Sequence, residues 1–350
     1  MQKAFETRQT AALVISFSRS SVTTRVNHQI LNGSKLLVIF LLLALVSCAK
    51  EGSPPQEAAR WVAGSSIGKL DLLAVDLIDD KTGWAAGDID PAGKGGAIYA
   101  TSDGGASWQP IATTPEVLAS ICFVSSERGW VAGYAGRIER TDDGGRTWKT
   151  QRVERQGEVI NSIFFIDERR GWAAGGAASA GGLLLRTPDG GDTWEQIETD
   201  RVETFWAIRF STADRGWAVG EDGIIMATTD GGQTWAKQNG GTRRALFSLA
   251  LSSSGKMAAV GEAGTILHSE DGANWSRVES GTTETLNAAA AAGDVFWAVG
   301  AHGATIGSRD GGQRWAAANT VSSRDLAAID LASPARGVAV GRRGTSQLLQ

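Results

Sequence analysis

Aspartates at regular spacing are the residues of this 350-residue chain with the clearest capacity for chemistry. One lies in the phrase "TDDGGRTW" (141–148), and related phrases occur at 101–108, 187–194, 228–235, 269–275 and 308–315. Carboxylates that meet in pairs can serve as general acid and base, the chemistry that hydrolyses glycosidic bonds. Six copies exceed what one catalytic pair requires, so the repetition favours a role in folding.

The phrase has the composition of a tight turn between two strands. Gly144 and Gly145 supply the positive φ angles that a reversing strand needs, and Asp143 can accept hydrogen bonds from N–H groups of the same turn. Trp148 follows on the departing strand, where its indole can cover the hairpin. We therefore predict that these aspartates form turns and that the chain has no catalytic residues.

The histidines and cysteines give no support for a metal site. His268 and His302 fall at different positions of their repeats, His28 lies in the leader, and no cysteine–histidine cluster occurs. The chain is therefore predicted to bind no metal and no cofactor. Cys122, in the apolar run "SICFVS", is interpreted as a small buried hydrophobe.

The elements that must position these residues follow from the period of the repeat. The tryptophans that close the six phrases are 40 to 46 residues apart, and a second motif, such as "GWVAG" (129–133), occurs seven times in step with them. Each unit contains four short extended runs joined by glycine-rich turns, which is typical of an antiparallel sheet. Repeated units of this size and content predict the blades of a β-propeller.

The seventh unit predicts how the ring closes. It runs from "LAAID" (326–330) through "GVAVG" (337–341) and lacks a fourth strand and a closing tryptophan, whereas Trp61 precedes the first unit. Trp61 lies 23 residues before Trp84, and closing tryptophans of complete units lie 22 to 24 residues before the next motif tryptophan. The prediction is an all-β fold: a seven-bladed β-propeller of four-stranded antiparallel blades over residues 57–350, with the last blade closed by the N-terminal strand around Trp61.

The leader predicts export. In "KLLVIFLLLALVSCAK" (35–50) a lysine precedes a short apolar run that ends at small residues, the pattern of a secretory signal that is too short to span a bilayer. "LVSC" resembles a lipobox, so residues 1–47 are predicted to be a lipoprotein signal segment with a misassigned start, Cys48 the lipidated residue and 48–56 a tether. The protein is expected on the periplasmic or extracytoplasmic side of a membrane: the outer membrane in a Gram-negative host, the thylakoid lumen side in a photosynthetic one.

The charge of the chain excludes one class of partner. The full sequence has 34 basic and 38 acidic residues, and removal of residues 1–47 leaves 29 and 37. General nucleic-acid binders carry a basic excess. We therefore expect no nucleic-acid partner.

The repeated motifs are similar to those of a known family. "GAIYATSDGGASW" (96–108) and "GWAVGEDGIIMATTDGGQTW" (216–235) resemble the photosystem II stability/assembly factor propellers, in which the aspartate phrase is called an Asp box or BNR repeat. The resemblance implies a non-catalytic, monomeric propeller that binds a protein subunit of a membrane complex and assists its assembly or stability. That complex would be photosystem II in a photosynthetic host and an envelope complex or transporter otherwise.

Family members bind their partner through an arginine-rich surface, and this chain is rich in arginine over blades two to four. The candidate partner-binding residues are Arg137, Arg140, Arg152, Arg155, Arg169, Arg170, Arg186, Arg209 and Trp206. Acidic residues interleave with these arginines, so a solvated surface of mixed charge is the alternative interpretation. A binding surface requires several of the arginines to share one face without a matching acid for each.

Asp boxes also occur in sialidases and xyloglucanases, so a glycoside hydrolase or a carbohydrate-binding propeller is the alternative function. A sialidase-like site needs a tyrosine nucleophile, and the only tyrosines are Tyr99 and Tyr134. A two-carboxylate site could instead draw on spare acids: Glu116, Glu158, Asp167, Glu203 and Glu221. Two carboxylates within roughly 5–10 Å of one another at the mouth of the channel would mark such a site.

Overall fold

The computed structural model describes residues 59–88, 95–152, 157–177, 181–198, 203–319 and 321–350. The predicted signal segment, the tether with Cys48, and Arg155 lie outside the described residues. Within these ranges, no helix has the length and apolar character needed to cross a membrane.

The strands form seven four-stranded antiparallel sheets, the blades. After β1 (Trp61–Ala63), blade 1 contains β2 (Leu72–Leu77), β3 (Gly83–Asp88), β4 (Gly96–Thr101) and β5 (Gln109–Thr114). Blade 2 contains β6 (Leu118–Phe123), β7 (Gly129–Gly133), β8 (Ile138–Thr141) and β9 (Lys149–Arg152). Blade 3 contains β10 (Glu158–Phe165), β11 (Gly171–Ala177), β12 (Gly181–Thr187) and β13 (Glu195–Ile197).

The remaining blades follow in chain order. Blade 4 contains β14 (Phe205–Phe210), β15 (Gly216–Gly220), β16 (Ile225–Thr228) and β17 (Ala236–Gln238). Blade 5 contains β18 (Leu246–Leu251), β19 (Met257–Gly261), β20 (Ile266–Ser269) and β21 (Ser276–Val278). Blade 6 contains β22 (Leu286–Ala292), β23 (Val295–Gly300), β24 (Thr305–Ser308) and β25 (Ala316–Ala317). Blade 7 contains β26 (Leu326–Ser333), β27 (Arg336–Gly341), β28 (Ser346–Leu349) and β1.

The seventh blade is completed by strands from both ends of the described chain. Trp61 pairs with Leu349 and Ala63 with Gln347. Beyond these pairs, the Arg60 N–H donates to the Gln350 carbonyl oxygen at 2.9 Å, and the Gln350 N–H donates to the Arg60 carbonyl oxygen at 3.1 Å. The predicted architecture, including closure by the strand around Trp61, is therefore confirmed.

The propeller has two faces that carry different connections. The Asp-box face carries the turns between the first two strands of a blade and the hairpins between its last two strands. In blade 2 the turn and the hairpin are joined by a hydrogen bond, in which the Gly144 N–H donates to the Glu127 carbonyl oxygen at 2.8 Å. The connection face carries the turns between the second and third strands and the links from one blade to the next. In blades 4 to 7 the turn between the second and third strands is a single 3-10 turn, at Glu221–Gly223, Glu262–Gly264, Ala301–Gly303 and Arg342–Gly344.

The hydrophobic core lies between neighbouring blades, where the motif tryptophans pack. Trp84 of blade 1 stacks on Phe123 of blade 2 at 3.6 Å, and Trp148 meets the edge of Phe123 at 6.2 Å. Trp130 stacks on Phe165 in the same way at the next interface. Aromatic pairs of this kind add to the hydrophobic stabilisation from burial, so the repeated tryptophans hold the ring of blades together.

The seven first strands surround an axial channel with a cavity of about 120 Å³. Polar side chains on several of these strands tie neighbouring blades together by accepting backbone N–H groups. Ser120 Oγ accepts from the Ile163 N–H at 3.0 Å, and Ser248 Oγ accepts from the Ala289 N–H at 3.1 Å. Hydrogen bonds from these polar side chains therefore join neighbouring blades at the channel wall.

Candidate protein-binding surface

The carboxylates of the Asp-box aspartates accept hydrogen bonds from groups of their own turns. Asp143 Oδ1 accepts from the Thr147 N–H at 2.8 Å, Asp143 Oδ2 accepts from Thr147 Oγ1 at 2.6 Å, and Thr141 Oγ1 donates to Asp143 Oδ1 at 2.8 Å. These bonds, led by those from Thr147, lower the pKa of Asp143 to about 2. A carboxylate held ionised in this way cannot act as a general acid near neutral pH.

The glycines of the box connect each hairpin to its neighbour. Gly144 and Gly145 have φ angles of 75° and 92°, which glycine adopts without strain. The indole N–H of Trp84 in blade 1 donates to the Gly144 carbonyl oxygen in blade 2 at 3.1 Å. The Asp box therefore forms a turn and also receives a tryptophan from the preceding blade.

The two tyrosines and the spare acids Glu158, Asp167 and Glu221 have separate surroundings. Tyr99 packs in the core between blades 7 and 1, whereas Tyr134 is exposed. Glu158 pairs with Arg152 at 2.7 Å, and Asp167 pairs with Arg170 at 2.6 Å. Glu221 accepts the backbone N–H of Thr204.

Two carboxyl groups that the sequence did not single out lie on adjacent first strands. Asp76 Oδ2 accepts the Phe123 N–H at 2.6 Å, and Asp330 Oδ2 accepts the Leu77 N–H at 2.8 Å. Burial, and then the charge of Asp330, raise the pKa of Asp76 to about 8. Each carboxyl joins its blade to the next, as the channel serines do.

Most of the candidate arginines have an acidic partner. The ion pairs are Arg137 with Glu139, Arg140 with Asp192 at 3.0 Å, Arg152 with Glu158 at 2.7 Å, Arg170 with Asp167 at 2.6 Å, and Arg186 with Glu195 at 2.8 Å. Arg169 is exposed in the turn between β10 and β11. The charge of this region is therefore largely balanced within the protein.

The candidate arginines are also divided between different parts of the propeller. Arg137 and Arg152 lie at the connection face, and the structure brings Arg170 and Arg186 together in a cleft of about 280 Å³ between blades 3 and 4 at the Asp-box face. Arg140 reaches from blade 2 to the Gly190 carbonyl oxygen of the next Asp box at 3.0 Å. The seven candidate arginines that the structure describes therefore do not form one surface, and the role of all eight in partner binding stays a prediction.

The last two candidates belong to the channel. Trp206 lines it and meets the edge of Phe247 at 5.6 Å. The Arg209 guanidinium donates to the Ile208 carbonyl oxygen at 2.9 Å and lies 5.9 Å from the centre of the Phe164 ring. Their side chains are partly buried, so a partner would have to enter the channel to reach them.

A cluster of exposed basic side chains that sequence reasoning missed lies on the connection face, where blade 7 meets blade 1. We call it the basic pocket and define it by its four cations, Lys69, Arg324, Arg342 and Arg343. They surround a cavity of about 670 Å³ in which Asp71 is the lining acid. Asp71 Oδ1 accepts the Arg343 backbone N–H at 2.9 Å, and Arg342 Nε lies 3.4 Å from Asp325 Oδ2. Basic groups outnumber the nearby carboxylates.

The basic pocket depends on ring closure, because it joins residues from opposite ends of the chain. The signal that could have revealed it is the 3-10 turn of blade 7. The middle residue of this turn has a positive φ in the four blades with a 3-10 turn, at Asp222, Ala263, His302 and Arg343, and Ala135 has one in the corresponding turn of blade 2. Only blade 7 has two consecutive arginines in this turn.

Among the residues that the structure describes, no three histidine, cysteine, aspartate or glutamate side chains are grouped to hold a metal ion.

Comparison with known proteins places these features in a family. The family model described as Photosynthesis system II assembly factor YCF48 matches residues 110–202 and 195–283. A curated relative, the Photosystem II assembly lipoprotein Ycf48 of Synechococcus sp. (strain CC9902), is 27% identical over 184 residues, which are 51% of this chain and 52% of the relative. The match thus spans about half the length of that relative.

Solved structures share the fold over a longer stretch. A structure of YCF48 bound to D1 peptide is 21% identical, with a TM-score of 0.67, and the match covers 85% of this chain and 98% of that one. YCF48 from Cyanidioschyzon merolae is 17% identical, with a TM-score of 0.66 over 83% and 99% of the two chains. The GH74 xyloglucanase from Xanthomonas campestris is 14% identical, with a TM-score of 0.63 over 82% and 53%. These likenesses show the fold alone. The repeats, the closed seven-bladed ring and the family match together show that the chain belongs to the Photosynthesis system II assembly factor YCF48 family.

Proposed function

We propose that this chain is a non-catalytic, extracytoplasmic propeller, anchored by lipid at Cys48, that binds a protein subunit of a membrane complex and assists its assembly or stability. In a photosynthetic host that complex is photosystem II. The observation that carries the proposal is the basic pocket, which presents four exposed cations on one face of a chain with an overall acidic excess.

The pocket suits an acidic segment of a partner protein. Guanidinium groups bind carboxylates through two parallel hydrogen bonds, which gives both affinity and geometry. A cavity of about 670 Å³ is large enough for several side chains. Opposite charge on the partner would also accelerate its encounter with this face.

Two further observations support a binding role without catalysis. The Asp-box carboxylates are all engaged in turns, so the most conspicuous acids of the sequence are unavailable for acid–base chemistry. The Synechococcus relative is named an assembly lipoprotein, and one structural neighbour holds a D1 peptide. The proposal extends these properties to this chain.

The test is affinity capture from native membranes of the host with three forms of the protein. They are the wild type, Arg342→Glu/Arg343→Glu in the basic pocket, and Arg170→Glu/Arg186→Glu in the cleft on the opposite face as a matched control. We expect the wild type and the control to retain one specific membrane subunit and the basic-pocket variant to lose it, with unchanged circular dichroism. In the same membranes Cys48→Ser should release the protein into the soluble fraction.

Each other outcome has a definite meaning. Loss of the subunit from the Arg170→Glu/Arg186→Glu form alone would place the binding surface among the arginines that the sequence suggested. Retention by both variants would reject both surfaces. Failure of the wild type to retain any subunit, together with cleavage of glycans, would replace the proposal by the hydrolase alternative.

A further inference from the structure

An apolar groove of about 470 Å³ lies at the outer part of the interface between blades 6 and 7. Trp297 of blade 6 forms part of its wall, and Ala316, Ala317 and Ala318 supply small side chains at the edge of β25. Arg309 and Arg314 stand at the rim, where Arg314 contacts Asp310 at 3.1 Å. This groove is on the other side of blade 7 from the basic pocket.

Trp297 differs from its counterparts in what its indole N–H meets. In blades 1 to 4 the equivalent tryptophan donates to the first glycine of the Asp box in the next blade. These bonds run from Trp84 to Gly144 at 3.1 Å, from Trp130 to Gly190 at 3.0 Å, from Trp172 to Gly231 at 2.8 Å, and from Trp217 to Gly272 at 2.6 Å. The acceptor is the carbonyl oxygen in every case.

Trp297 has no such acceptor, although its side chain is only 6% exposed. The next blade is the seventh, in which β28 and β1 come from opposite ends of the described chain, so no Asp-box hairpin joins them. Trp61 of β1 packs edge-on against Trp297 at 5.6 Å and leaves the groove open beside it. An unpaired buried N–H has lost its hydration without compensation, so this donor favours a ligand that offers an acceptor.

The walls of the groove resemble those that hold an Asp box elsewhere. Gly307 stands where Arg140 and Arg186 stand in blades 2 and 3, and a Cβ atom there would approach the Trp297 ring to 2.7 Å. The absent side chain leaves room above the indole. The Arg309 side chain is exposed at the rim, where it can meet a carboxylate.

We propose that this groove binds a reverse turn of the Asp-Gly-Gly type presented by a second protein. The carbonyl oxygen of the first glycine accepts the Trp297 N–H, the small residues of the turn lie against the alanines, and the aspartate faces Arg309. In this chain itself, the Asp boxes of blades 2 to 5 already accept the tryptophan of the preceding blade. The proposal is independent of the basic pocket.

The test uses the purified full-length protein and a synthetic peptide with the sequence of residues 141–148, TDDGGRTW, in isothermal titration calorimetry. We expect saturable binding of one peptide per protein. Trp297→Phe, which keeps a ring and removes the N–H, should lower the affinity about threefold to tenfold, the effect of one buried hydrogen bond. Trp84→Phe is the matched control and should bind the peptide as the wild type does.

Further arms separate the parts of the groove. Arg309→Glu should weaken binding, whereas Arg277→Glu on the exposed outer strand of blade 5 should not. A peptide with both glycines replaced by alanine should bind less tightly, because alanine resists positive φ.

Two results would overturn the proposal: equal affinity of Trp297→Phe and wild type, or no saturable binding by the wild type. A third would also do so. If a peptide of residues 51–58, EGSPPQEA, binds more tightly than the Asp-box peptide, the groove belongs to the upstream segment of this chain.

Discussion

At the scale of single residues, the motif tryptophans show how one side chain acquires different energetic roles. Trp84 and Trp297 are both nearly fully buried, with 3% and 6% of their surfaces exposed. The indole N–H of Trp84 is satisfied by Gly144, whereas that of Trp297 is unpaired. Ring burial stabilises both positions, and the hydrogen bond stabilises only the first.

This difference predicts the stability of two matched variants. Trp84→Phe removes ring surface and a buried hydrogen bond and leaves the Gly144 carbonyl oxygen unpaired, whereas Trp297→Phe removes similar ring surface and an N–H that was already unpaired. We expect Trp84→Phe to lose about 1 kcal/mol more of the free energy of unfolding than Trp297→Phe. Differential scanning calorimetry of the two variants measures the difference, and equal losses would contradict it.

The sequence was sufficient for the turn-forming role of Asp143 and its equivalents, because repetition separates folding residues from catalytic ones. It was not sufficient to predict the unpaired indole N–H of Trp297. The motif around Trp297 is nearly the same as that around Trp217, and only the geometry of ring closure leaves its N–H without an acceptor. Likewise, the sequence showed the density of arginines but not the acids that pair with them across strands.

At the scale of elements, the Asp-box hairpin depends on both backbone conformation and packing. Gly145 has a φ of 92°, and a Cβ atom added there would lie 2.6 Å from Ile111 Cδ1. Gly255, in the turn between β18 and β19, has a nearly equal φ of 91° and has no atom within 4 Å of such a Cβ. The two glycines therefore share the conformational requirement and differ in the space around them.

Alanine at each position separates the two contributions. Gly255→Ala should lower the free energy of unfolding by about 1 kcal/mol, the strain of an alanine in the left-handed conformation. Gly145→Ala should lower the free energy of unfolding by that amount and by about 1–3 kcal/mol more, because the added methyl group overpacks the interface between blades 1 and 2. Urea unfolding of both variants gives the comparison, and the expectation fails if Gly145→Ala is no less stable than Gly255→Ala.

The strand order, the number of blades and the closing strand all followed from the period and from the position of Trp61. The basic pocket did not, although the pair Arg342–Arg343 was visible in the sequence. Arg324, just before β26, contacts the Arg343 carbonyl oxygen within blade 7, but Lys69 joins these arginines only when blade 7 meets blade 1. Periodicity predicts what each blade contains, but it does not reveal which side chains of different blades share a face.

At the scale of the whole molecule, buried titratable groups at the channel link ring closure to pH. Asp76 of blade 1 lies near Asp330 of blade 7, whose charge raises the pKa of Asp76, whereas the charge of Arg209 of blade 4 lowers it. Burial raises the pKa of the Cys122 thiol to about 12, so it stays neutral across the physiological range. The pKa of Asp76, about 8, lies within that range.

The sign of the effect follows from the direction of this shift. A pKa of about 8 in the folded state, against an ordinary value of 3.8, means that the folded protein binds this proton more tightly than the unfolded chain does. The contribution of Asp76 to stability is therefore fully present below the lower value and is lost as the pH rises through the higher one. Asp143 acts oppositely, since the stabilisation from its carboxylate is lost only as the pH falls towards its pKa of about 2.

We therefore expect the melting temperature of the wild type to fall between pH 6 and pH 9, and that of Asp76→Asn to fall less. Asparagine retains an acceptor for the Phe123 N–H and does not titrate. A change of about 1 kcal/mol corresponds to about 2–4 °C in a domain of this size. Asp143→Asn is the control and should keep the slope of the wild type; equal slopes for Asp76→Asn and wild type would show that Asp76 is ionised throughout.

The pairing of β1 with β28 also determines when the ring of blades can close. During synthesis β1 is made before any blade and β28 after all the others, so Trp61 must wait for the whole chain before its partner strand exists. Contacts so distant in sequence form slowly because a long loop must close first. Until then the chain exposes two unpaired strand edges. The edge of β28 can pair with the β1 of a neighbouring molecule as well as with the β1 of its own chain. We expect intermolecular exchange of β1 at high protein concentration to be the characteristic misfolding route of this propeller, giving open chains of molecules where dilution gives closed rings.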